Sequence, residues 1–269
     1  MSPARISSRI LLAAALLAGP SLSAATITKA SSETDLTLAA AWGLNAPTSA
    51  DVATWSATSL GGALTLGSSA SYLGISVTDA TADISISGAG ALTLGSSGIT
   101  LAATGKNLSI ANAITLGATQ SWTVGAGRTL TASGTLSGSG RLDKYGSGTL
   151  VLSGNNSHSA GTEIFGGVLS IAAVNSLGSG FLGIKNDATL RYTGSGTTDR
   201  FSGTMYIDQT NATVEVEQSA AVLTLWRTGG GFTKQLTKIG TGTLRFGATS
   251  DNTGATAVVT GGVLEAVSS

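Results

Sequence analysis

Residues 141–152 read RLDKYGSGTLVL, and residues 235–246 read QLTKIGTGTLRF. The two segments share a leucine, a lysine, two glycines and a Thr-Leu pair at identical spacing. Each segment then passes through a polar loop to a Gly-Gly-Val-Leu, at residues 166–169 and 261–264. An internal duplication of this kind indicates a repeat architecture, in which neighbouring units bury a shared apolar face.

Short runs of alternating apolar and polar residues fill much of the remaining chain. Residues 64–66 and 92–94 both read LTL, residues 114–116 read ITL, and residues 214–217 read VEVE. Because successive strand side chains point to opposite faces, the aliphatic residues of each run share one face. The runs end in Gly, Ser, Asn or Asp, which turn a chain at low steric cost. The pattern predicts many short β-strands.

A unit of about 20 residues is too small to fold alone. Fixing its backbone costs roughly 1–2 kcal/mol per residue, whereas about four buried aliphatic side chains return only about 1.5–3 kcal/mol each. The units must therefore stack, and about ten to twelve turns at a strand spacing of about 4.8 Å make a rod of roughly 50 Å. We predict an all-β fold, a β-solenoid, rather than a β-sandwich or barrel, which carries longer strands and more aromatic residues.

Residues 1–25 are expected to form a secretory signal peptide. Arg5 and Arg9 precede the apolar run 10–18, which is too short to cross a bilayer core of about 30 Å. Small residues then offer cleavage after Ser23 or after Ala25. No second long apolar run follows, so no transmembrane segment is expected in the mature chain.

The remaining sequence is divided by its repeat pattern. We expect an N-terminal lead-in or cap at residues 26–60 and the β-helix at residues 61–269. The β-helix contains the two repeat copies, at residues 141–171 and 235–266. The chain stops directly after the second copy. We therefore expect a module of a larger protein, a shortened gene product, or a rod that assembles end to end.

Composition excludes several classes of function. The chain has no cysteine and one histidine, so it cannot build a thiolate site or a multi-histidine metal centre. Fourteen basic and fourteen acidic residues balance, and no basic run occurs, which argues against a nucleic-acid partner. We expect no cofactor and no metal.

The duplicated segment resembles the autotransporter-associated β-strand repeat, also called the passenger-associated transport repeat. That family reads, loosely, Leu-x-Lys-x-Gly-x-Gly-Thr-Leu-x-Leu-Ser-Gly-x-Asn, then a Thr/Ser-rich loop, then Gly-Gly-Thr-x-Val-x-x-Gly-x-Leu. The first copy matches at Leu142, Lys144, Gly146, Gly148, Thr149, Leu150, Leu152, Ser153, Gly154, Asn156, Gly161, Thr162, Ile164, Gly167 and Leu169. The second copy matches at Leu236, Lys238, Gly240, Gly242, Thr243, Leu244, Gly262 and Leu264.

The second copy departs from the family pattern at residues 246–248 and carries one extra residue before Gly261. The resemblance implies a right-handed parallel β-helix on an exported surface or extracellular protein. It implies no catalytic residues, because the motif is a structural repeat.

Glycine pairs and the single histidine are the first candidates for chemistry. Patterns such as Gly146-Ser147-Gly148 precede strands, whereas a phosphate cradle needs a following helix, so we interpret them as corners. His158 lies in the polar loop of the first copy and is a candidate general base. Asn252 occupies the aligned position in the second copy, so we expect His158 to be an ordinary solvated loop residue.

Two carboxylate pairs are candidates for binding a cation or a sugar. Asp79 and Asp83 lie close together in the sequence, and Glu215 and Glu217 share one face of a strand, opposite Val214 and Val216. The simpler interpretation of the glutamates is an exposed strand face whose charges hinder pairing with other sheets.

Aromatic residues and threonines give two further expectations. Trp42 and Trp55 flank the start of the rod and are expected to close its end, whereas Trp122 is expected to pack against a corner. Three outward threonines, Thr65, Thr93 and Thr115, suggest a row that orders water, although ordinary strand preference explains them more simply.

These observations predict an exported, non-enzymatic β-helical rod that acts as a stalk, spacer or adhesive surface. No catalytic, cofactor-binding or metal-binding residue is assigned. Expected partners are host or neighbouring-cell glycans or proteins, with end-to-end self-association as a further possibility. The alternative is a carbohydrate-active β-helix, a lyase or hydrolase that uses carboxylates in a groove, for which three or more converging charged groups would be the sign.

Overall fold

A computed structural model describes residues 24–30, 32–197, 199–201, 203–207, 211–227, 234–248 and 256–268, with backbone alone at residues 226, 227, 247, 248, 267 and 268. The expected signal peptide lies almost wholly outside the described residues and stays a prediction. No helix in the described part of the chain is long and apolar enough to cross a membrane.

Within these ranges the chain forms short strands and two 3-10 helices, Ala39–Trp42 and Val174–Leu177. The strands are β1 (Ala25–Thr28), β2 (Asp51–Trp55), β3 (Gly62–Thr65), β4 (Ala70–Val77), β5 (Ile84–Ser87), β6 (Leu92–Leu101), β7 (Leu108–Ile110), β8 (Ile114–Leu116), β9 (Gln120–Val124), β10 (Thr129–Ala132), β11 (Leu136–Ser137), β12 (Leu142–Tyr145), β13 (Thr149–Leu152), β14 (Thr162–Ile164), β15 (Val168–Ile171), β16 (Leu182–Ile184), β17 (Thr189–Tyr192), β18 (Asp199–Phe201), β19 (Met205–Tyr206), β20 (Ala212–Val216), β21 (Val222–Arg227), β22 (Gln235–Ile239), β23 (Thr243–Ala248), β24 (Thr256–Val259) and β25 (Val263–Ser268).

Three sheets contain these strands. The eleven-stranded sheet has the order β1-β2-β4-β6-β9-β12-β14-β16-β19, with β8 paired to β6 and β11. The ten-stranded sheet has the order β3-β5-β7-β10-β13-β15-β17-β20-β22-β24, and the four-stranded sheet has the order β18-β21-β23-β25. All strand pairings among the described residues are parallel. The predicted all-β parallel β-solenoid is confirmed, with about ten turns.

The chain moves from one sheet to another at several corners. In the middle of the rod, β12, β14 and β16 of the eleven-stranded sheet are followed by β13, β15 and β17 of the ten-stranded sheet. Later, β20, β22 and β24 of the ten-stranded sheet are followed by β21, β23 and β25 of the four-stranded sheet. Register pairs Leu150 with Leu169 and Ala25 with Asp51, so a turn between paired strands takes between 19 (169 − 150) and 26 (51 − 25) residues.

Inward aliphatic side chains form a continuous column through the rod. One row of the ten-stranded sheet joins Leu108, Leu130, Leu150, Leu169 and Leu190, each at most 1% exposed. The burial of each such side chain contributes about 1.5–3 kcal/mol, and no single turn supplies enough of them to fold by itself. Stacking is therefore the source of stability, as in other solenoids.

Aromatic residues pack together near the first end of the rod, and their expected role of closing that end stays a prediction. Trp42 contacts Trp55 edge to face at 5.4 Å between ring centroids and Tyr72 at 6.1 Å. Trp42 Nε1 and the Tyr72 hydroxyl both donate to the carbonyl oxygen of Leu36, at 2.8 and 3.3 Å. Strands β1 and β2 of the expected lead-in already belong to the eleven-stranded sheet.

The prediction that Trp122 packs against a corner is wrong. Trp122 lies in β9 and is fully buried in the column, in phase with Gln120 and Val124. Its Nε1 donates to Gln120 Oε1 at 2.9 Å, and Gln120 Nε2 donates to the Leu94 carbonyl oxygen at 2.9 Å. The column accepts an indole because a buried glutamine supplies the acceptor that its N–H needs.

The corner interpretation of the glycines agrees with the backbone. Gly146 has φ 78° and Gly138 has φ 103°, both in the region that favours glycine. A Cβ at Gly146 would lie 2.3 Å from the carbonyl oxygen of Val124 on the preceding turn. These glycines therefore allow both the bend and the close approach of successive turns.

Truncation of a column residue should be far more costly than truncation of its outward neighbour. We expect Leu150→Ala to lower the free energy of unfolding by about 2–5 kcal/mol, because the site cannot fully collapse. Val151→Ala, on the opposite face of β13, should cost less than about 1 kcal/mol. Denaturant unfolding of the two variants measures both values, and equal losses would contradict a packed column at this position.

Candidate functional site

The repeat lysine of the first copy lies inside a corner. Lys144 is fully buried, and its Nζ donates to the carbonyl oxygens of Tyr145, Gly146 and Gly166 at 2.9, 2.8 and 3.0 Å. The first two acceptors belong to its own turn, and the third belongs to the next turn. One ammonium therefore joins two successive turns of the solenoid.

The repeat lysine of the second copy makes the same contacts. Lys238 is fully buried, and its Nζ donates to the carbonyl oxygens of Ile239, Gly240 and Gly261 at 2.6, 2.8 and 3.1 Å. Gly146 and Gly240 share a φ of 78°. Lys144 lies where the chain passes from the eleven-stranded to the ten-stranded sheet, whereas Lys238 lies where it passes from the ten-stranded to the four-stranded sheet. The motif thus builds one type of corner at two different places on the rod.

Both lysines are cations held by neutral oxygens. Burial lowers the pKa of Lys144 to about 8, so the ammonium form still predominates at neutral pH. Burial also lowers the pKa of Lys238, and the charge of Glu215 opposes that shift. An ammonium has three donors and no acceptor, so three carbonyl oxygens satisfy it completely.

A second polar group of the first copy also joins successive turns. Asn156 is buried, accepts a hydrogen bond from the Leu136 backbone N–H at 2.7 Å, and donates to the Ser176 carbonyl oxygen at 2.6 Å. Thr162 Oγ1 donates to the Leu177 carbonyl oxygen at 3.0 Å. The polar residues of this copy therefore act as staples between turns, which is a structural role.

The expectation that His158 is an ordinary solvated loop residue is wrong. Its side chain is fully buried, and Nε2 lies 2.9 Å from Thr162 Oγ1. A Cβ at Gly178 would lie 2.5 Å from its Cε1, so glycine at that position is what admits the ring. Burial lowers the pKa of His158 to about 4, which leaves the ring neutral at physiological pH. Asn252, its counterpart in the second copy, lies outside the described residues.

The carboxylate pairs found in the sequence are held by their own neighbours. Asp79 accepts a hydrogen bond from Thr78 Oγ1 at 2.9 Å, and Asp83 accepts two from Asn107, at 3.0 and 3.1 Å. Both aspartates are exposed. Neither arrangement brings a third ligating group to the pair.

Glu215 and Glu217 pair with an arginine of the adjacent turn. Arg191 Nε lies 2.6 Å from Glu215 and 3.4 Å from Glu217, on the outer face. Val214 and Val216 are buried opposite them, as predicted. Among the described residues, no group of three or more His, Asp or Glu side chains is placed to hold a metal ion.

The three threonines do not form one row. Thr65 lies in β3 of the ten-stranded sheet, whereas Thr93 and Thr115 are register partners in the eleven-stranded sheet. Ser137 continues the row of Thr93 and Thr115. Ser71 pairs with Thr93 on the other side, so the structure offers a row of two threonines between two serines.

The sequence did not predict the main cluster of side chains on the outer surface. It covers the outer face of β12, β14, β16 and β19, and we call it the aromatic–charged patch. Its members are Arg141, Asp143, Tyr145, Glu163, Phe165, Phe181, Lys185 and Tyr206.

Ion pairs connect the charged members of the patch. Arg141 donates to Asp143 from Nε at 2.6 Å and from Nη2 at 2.8 Å, and its Nη1 lies 3.4 Å from Glu163 Oε2. Lys185 Nζ lies 2.8 Å from Glu163 Oε1, which also accepts from the Tyr206 hydroxyl at 3.4 Å. Asp143 and Glu163 are only 5% and 4% exposed.

Aromatic rings of the patch are arranged around Lys185. Tyr145 and Phe165 stack with centroids 4.6 Å apart and an interplanar angle of 5°, and Phe181 and Tyr206 contact at 5.1 Å. Lys185 Nζ lies 5.1 Å from the Phe165 centroid and 5.7 Å from that of Tyr206. All four rings are half-buried, so part of each remains open to solvent.

Two glycines make room for these rings. A Cβ at Gly161 would lie 2.9 Å from Phe181 Cδ1, and a Cβ at Gly183 would lie 3.0 Å from Tyr206 Cε2. The rings therefore lie close against the sheet. The register that forms the patch pairs Asp143 with Glu163 on the next turn, and knowledge of the length of that turn would have revealed the cluster from the sequence.

The electrostatics of the patch favour binding over proton transfer. All four oxygens of Asp143 and Glu163 hold a cation or hydroxyl partner. Hydrogen bonding to Asp143 raises the pKa of Arg141 above its usual value. A general acid or base needs a carboxylate oxygen that can contact its substrate, and these oxygens already have partners within the protein.

Removal of a corner lysine should destabilise the solenoid strongly. Lys144→Met keeps the length of the side chain but leaves three carbonyl oxygens without their donor, at roughly 1–3 kcal/mol for each group that stays buried. Lys238→Met should behave alike. Lys106→Met, at a half-buried position outside the repeats, is the control and should change the free energy of unfolding by about 0.5 kcal/mol or less. Losses as small as the control in both corner variants would contradict the staple role.

Buried His158 should make the fold sensitive to acid. Its pKa is about 4 in the folded chain and about 6.5 when unfolded, so the unfolded state takes the proton first. The stability present above pH 6.5 is therefore lost as pH falls towards 4, by roughly 2–3 kcal/mol at pH 4.5. Unfolding of wild type and His158→Gln at pH 7 and pH 4.5 measures this, and an unchanged pH dependence in the variant would refute the assignment.

Comparison with known proteins agrees with the corner geometry. The profile of the passenger-associated-transport-repeat family matches the chain twice, at residues 142–171 and 236–266. No curated protein and no solved structure matches the chain. Both matched segments begin at the leucine that precedes the corner lysine in the motif. The chain therefore carries two passenger-associated transport repeats within a parallel β-solenoid.

Proposed function

We propose that this protein is a non-catalytic, passenger-like β-helical rod, exported to the cell surface or the extracellular space as a stalk, spacer or adhesive surface. Repeats of this family belong to autotransporter passenger domains. The observation that carries the proposal is the pair of corner lysines, because both repeat copies use their motif residues to join turns. The polar groups of the motif make their hydrogen bonds within the solenoid, which supports a structural role.

A carbohydrate-active β-helix is the second candidate, and the aromatic–charged patch is the observation that favours it. Two carboxylates, two cations and four rings converge there, as such a site would require. Glycoside hydrolysis needs one carboxyl as a proton donor and another as a base or nucleophile. Since Asp143 and Glu163 are both neutralised by ion pairs, the patch supports recognition better than cleavage.

Export is tested by the N-terminus of the chain made in a bacterial host. We expect mass spectrometry of the exported protein to find Ala24 or Thr26 as its first residue, after cleavage following Ser23 or Ala25. Leu16→Arg interrupts the apolar run of the signal segment and should keep the chain inside the cell with the segment attached. Retention of the unaltered chain in the cytoplasm with an intact N-terminus would contradict export.

Absence of catalysis is tested with a panel of acidic and neutral polysaccharides. We expect no new reducing ends and no unsaturated products from the purified protein. Glu163→Gln serves as the matched variant, because it keeps the size of the side chain and removes the carboxylate. Products that form with wild type and vanish with Glu163→Gln would establish the second candidate function instead.

A further inference from the structure

We propose that the aromatic–charged patch is a binding site for neutral oligosaccharides. The site lies on the outer face of β12, β14, β16 and β19, and its open surface consists of the rings of Tyr145, Phe165, Phe181 and Tyr206. The inference names a ligand for the adhesive surface of the proposed function. It rests on the proposed function only for the place where the protein meets that ligand. Its test uses purified protein and does not require export.

Half-buried aromatic rings provide the apolar part of the site. Pyranose rings carry C–H groups, which pack on the carbon surface of aromatic rings. Tyr145 and Phe165 offer the edges of their rings, because their faces are stacked on each other. Tyr145 and Phe165 form one stacked pair, and Phe181 and Tyr206 form the second. The ammonium of Lys185 lies between the pairs, close to one ring of each. The two pairs therefore present apolar surface on both sides of a hydrogen-bond donor.

Ion-paired side chains provide the polar part. Arg141, Asp143, Glu163 and Lys185 form a chain of contacts in which the charges sum to zero. Because these side chains are already held by one another, a ligand that hydrogen-bonds to them loses little side-chain entropy. Asp143 and Glu163 are almost fully buried, so Arg141, whose side chain is 34% exposed, is the charged group most open to sugar hydroxyls. An acidic ligand would find both cations already neutralised.

The extent of the patch fits a short glycan. Four adjacent strands at about 4.8 Å spacing extend over about 15 Å, and β14 and β16 are short strands. Stable protein partners cover about 800 Å² on each side, which is more than this surface provides. A few sugar rings that lie across the strands match both the length and the width of the patch.

Another part of the solenoid surface provides a control. A shallow hollow on the ten-stranded sheet is lined by Ser85, Ser109, Thr131 and their neighbours, and no aromatic ring contributes to it. It presents parallel strands and Ser/Thr hydroxyl groups without aromatic rings. Substitution there separates aromatic recognition from general adsorption to a Ser/Thr-rich surface.

The test is a glycan array followed by isothermal titration of the purified chain with the neutral oligosaccharides that bind. We expect Phe165→Ala and Tyr206→Ala each to weaken binding by about tenfold, which is the loss of one aromatic contact. Phe165→Tyr retains the ring and should retain binding. Thr131→Ala should leave affinity unchanged. Thermal unfolding of every variant identifies any that fails to fold. If one alanine variant fails, the other alanine variant is compared with Phe165→Tyr, which preserves the ring.

Three results would overturn the proposal. The first is no binding by wild type to any neutral oligosaccharide at millimolar concentration. The second is binding that the Phe165 and Tyr206 variants do not change, or that Thr131→Ala weakens equally. The third is binding to acidic glycans alone that disappears with added salt, which would indicate ionic adsorption. Each of these leaves the structural role of the rod unaffected, because that role rests on the corner lysines.

Discussion

Carbonyl groups at the corners are the constraint on which this solenoid depends. Within a sheet each strand pairs with the turns on either side, but at a corner the backbone leaves the ladder and its polar groups need other partners. Lys144 and Lys238 supply three donors each, to two carbonyls of their own turn and one of the next. A positive-φ glycine beside each lysine lets the bend form against the preceding turn. Corner and stacking are thus stabilised by the same contacts.

The outer surface follows from this inner arrangement. Because Lys144 points inward, its neighbours Asp143 and Tyr145 point outward, where the parallel register brings Asp143 beside Glu163. Tyr145 meets Phe165 in the same way, one row further along the turn. A buried structural motif therefore fixes the spacing of exposed charged and aromatic side chains. Because the corner is rigid, the patch keeps its geometry and no loop or lid has to become ordered.

Alternation and duplication were enough to predict the strands, the stacking of turns and the role of the glycines, and the family resemblance added the parallel arrangement. They failed where a polar or aromatic residue is buried with its own partner. Trp122 enters the column because Gln120 accepts from it, and His158 is enclosed because Gly178 leaves room. The patch was missed for a different reason: its members lie on four separate turns, and alternation does not give the length of those turns. Strand periodicity places a residue on a face, but only the register tells which residues of that face meet.

Unequal turns also explain why sequence repeats and structural turns do not coincide. Leu64 and Leu92 begin identical LTLGSS segments, yet Leu64 pairs in register with Ile86, and Leu92 lies in the other sheet. The two lysine motifs differ in the same way, since they occupy different corners. The lysine motif encodes a strand–corner–strand unit and not a whole turn. Such a unit can be placed at any corner where carbonyl groups need donors, so the motif can recur along the rod without a fixed period.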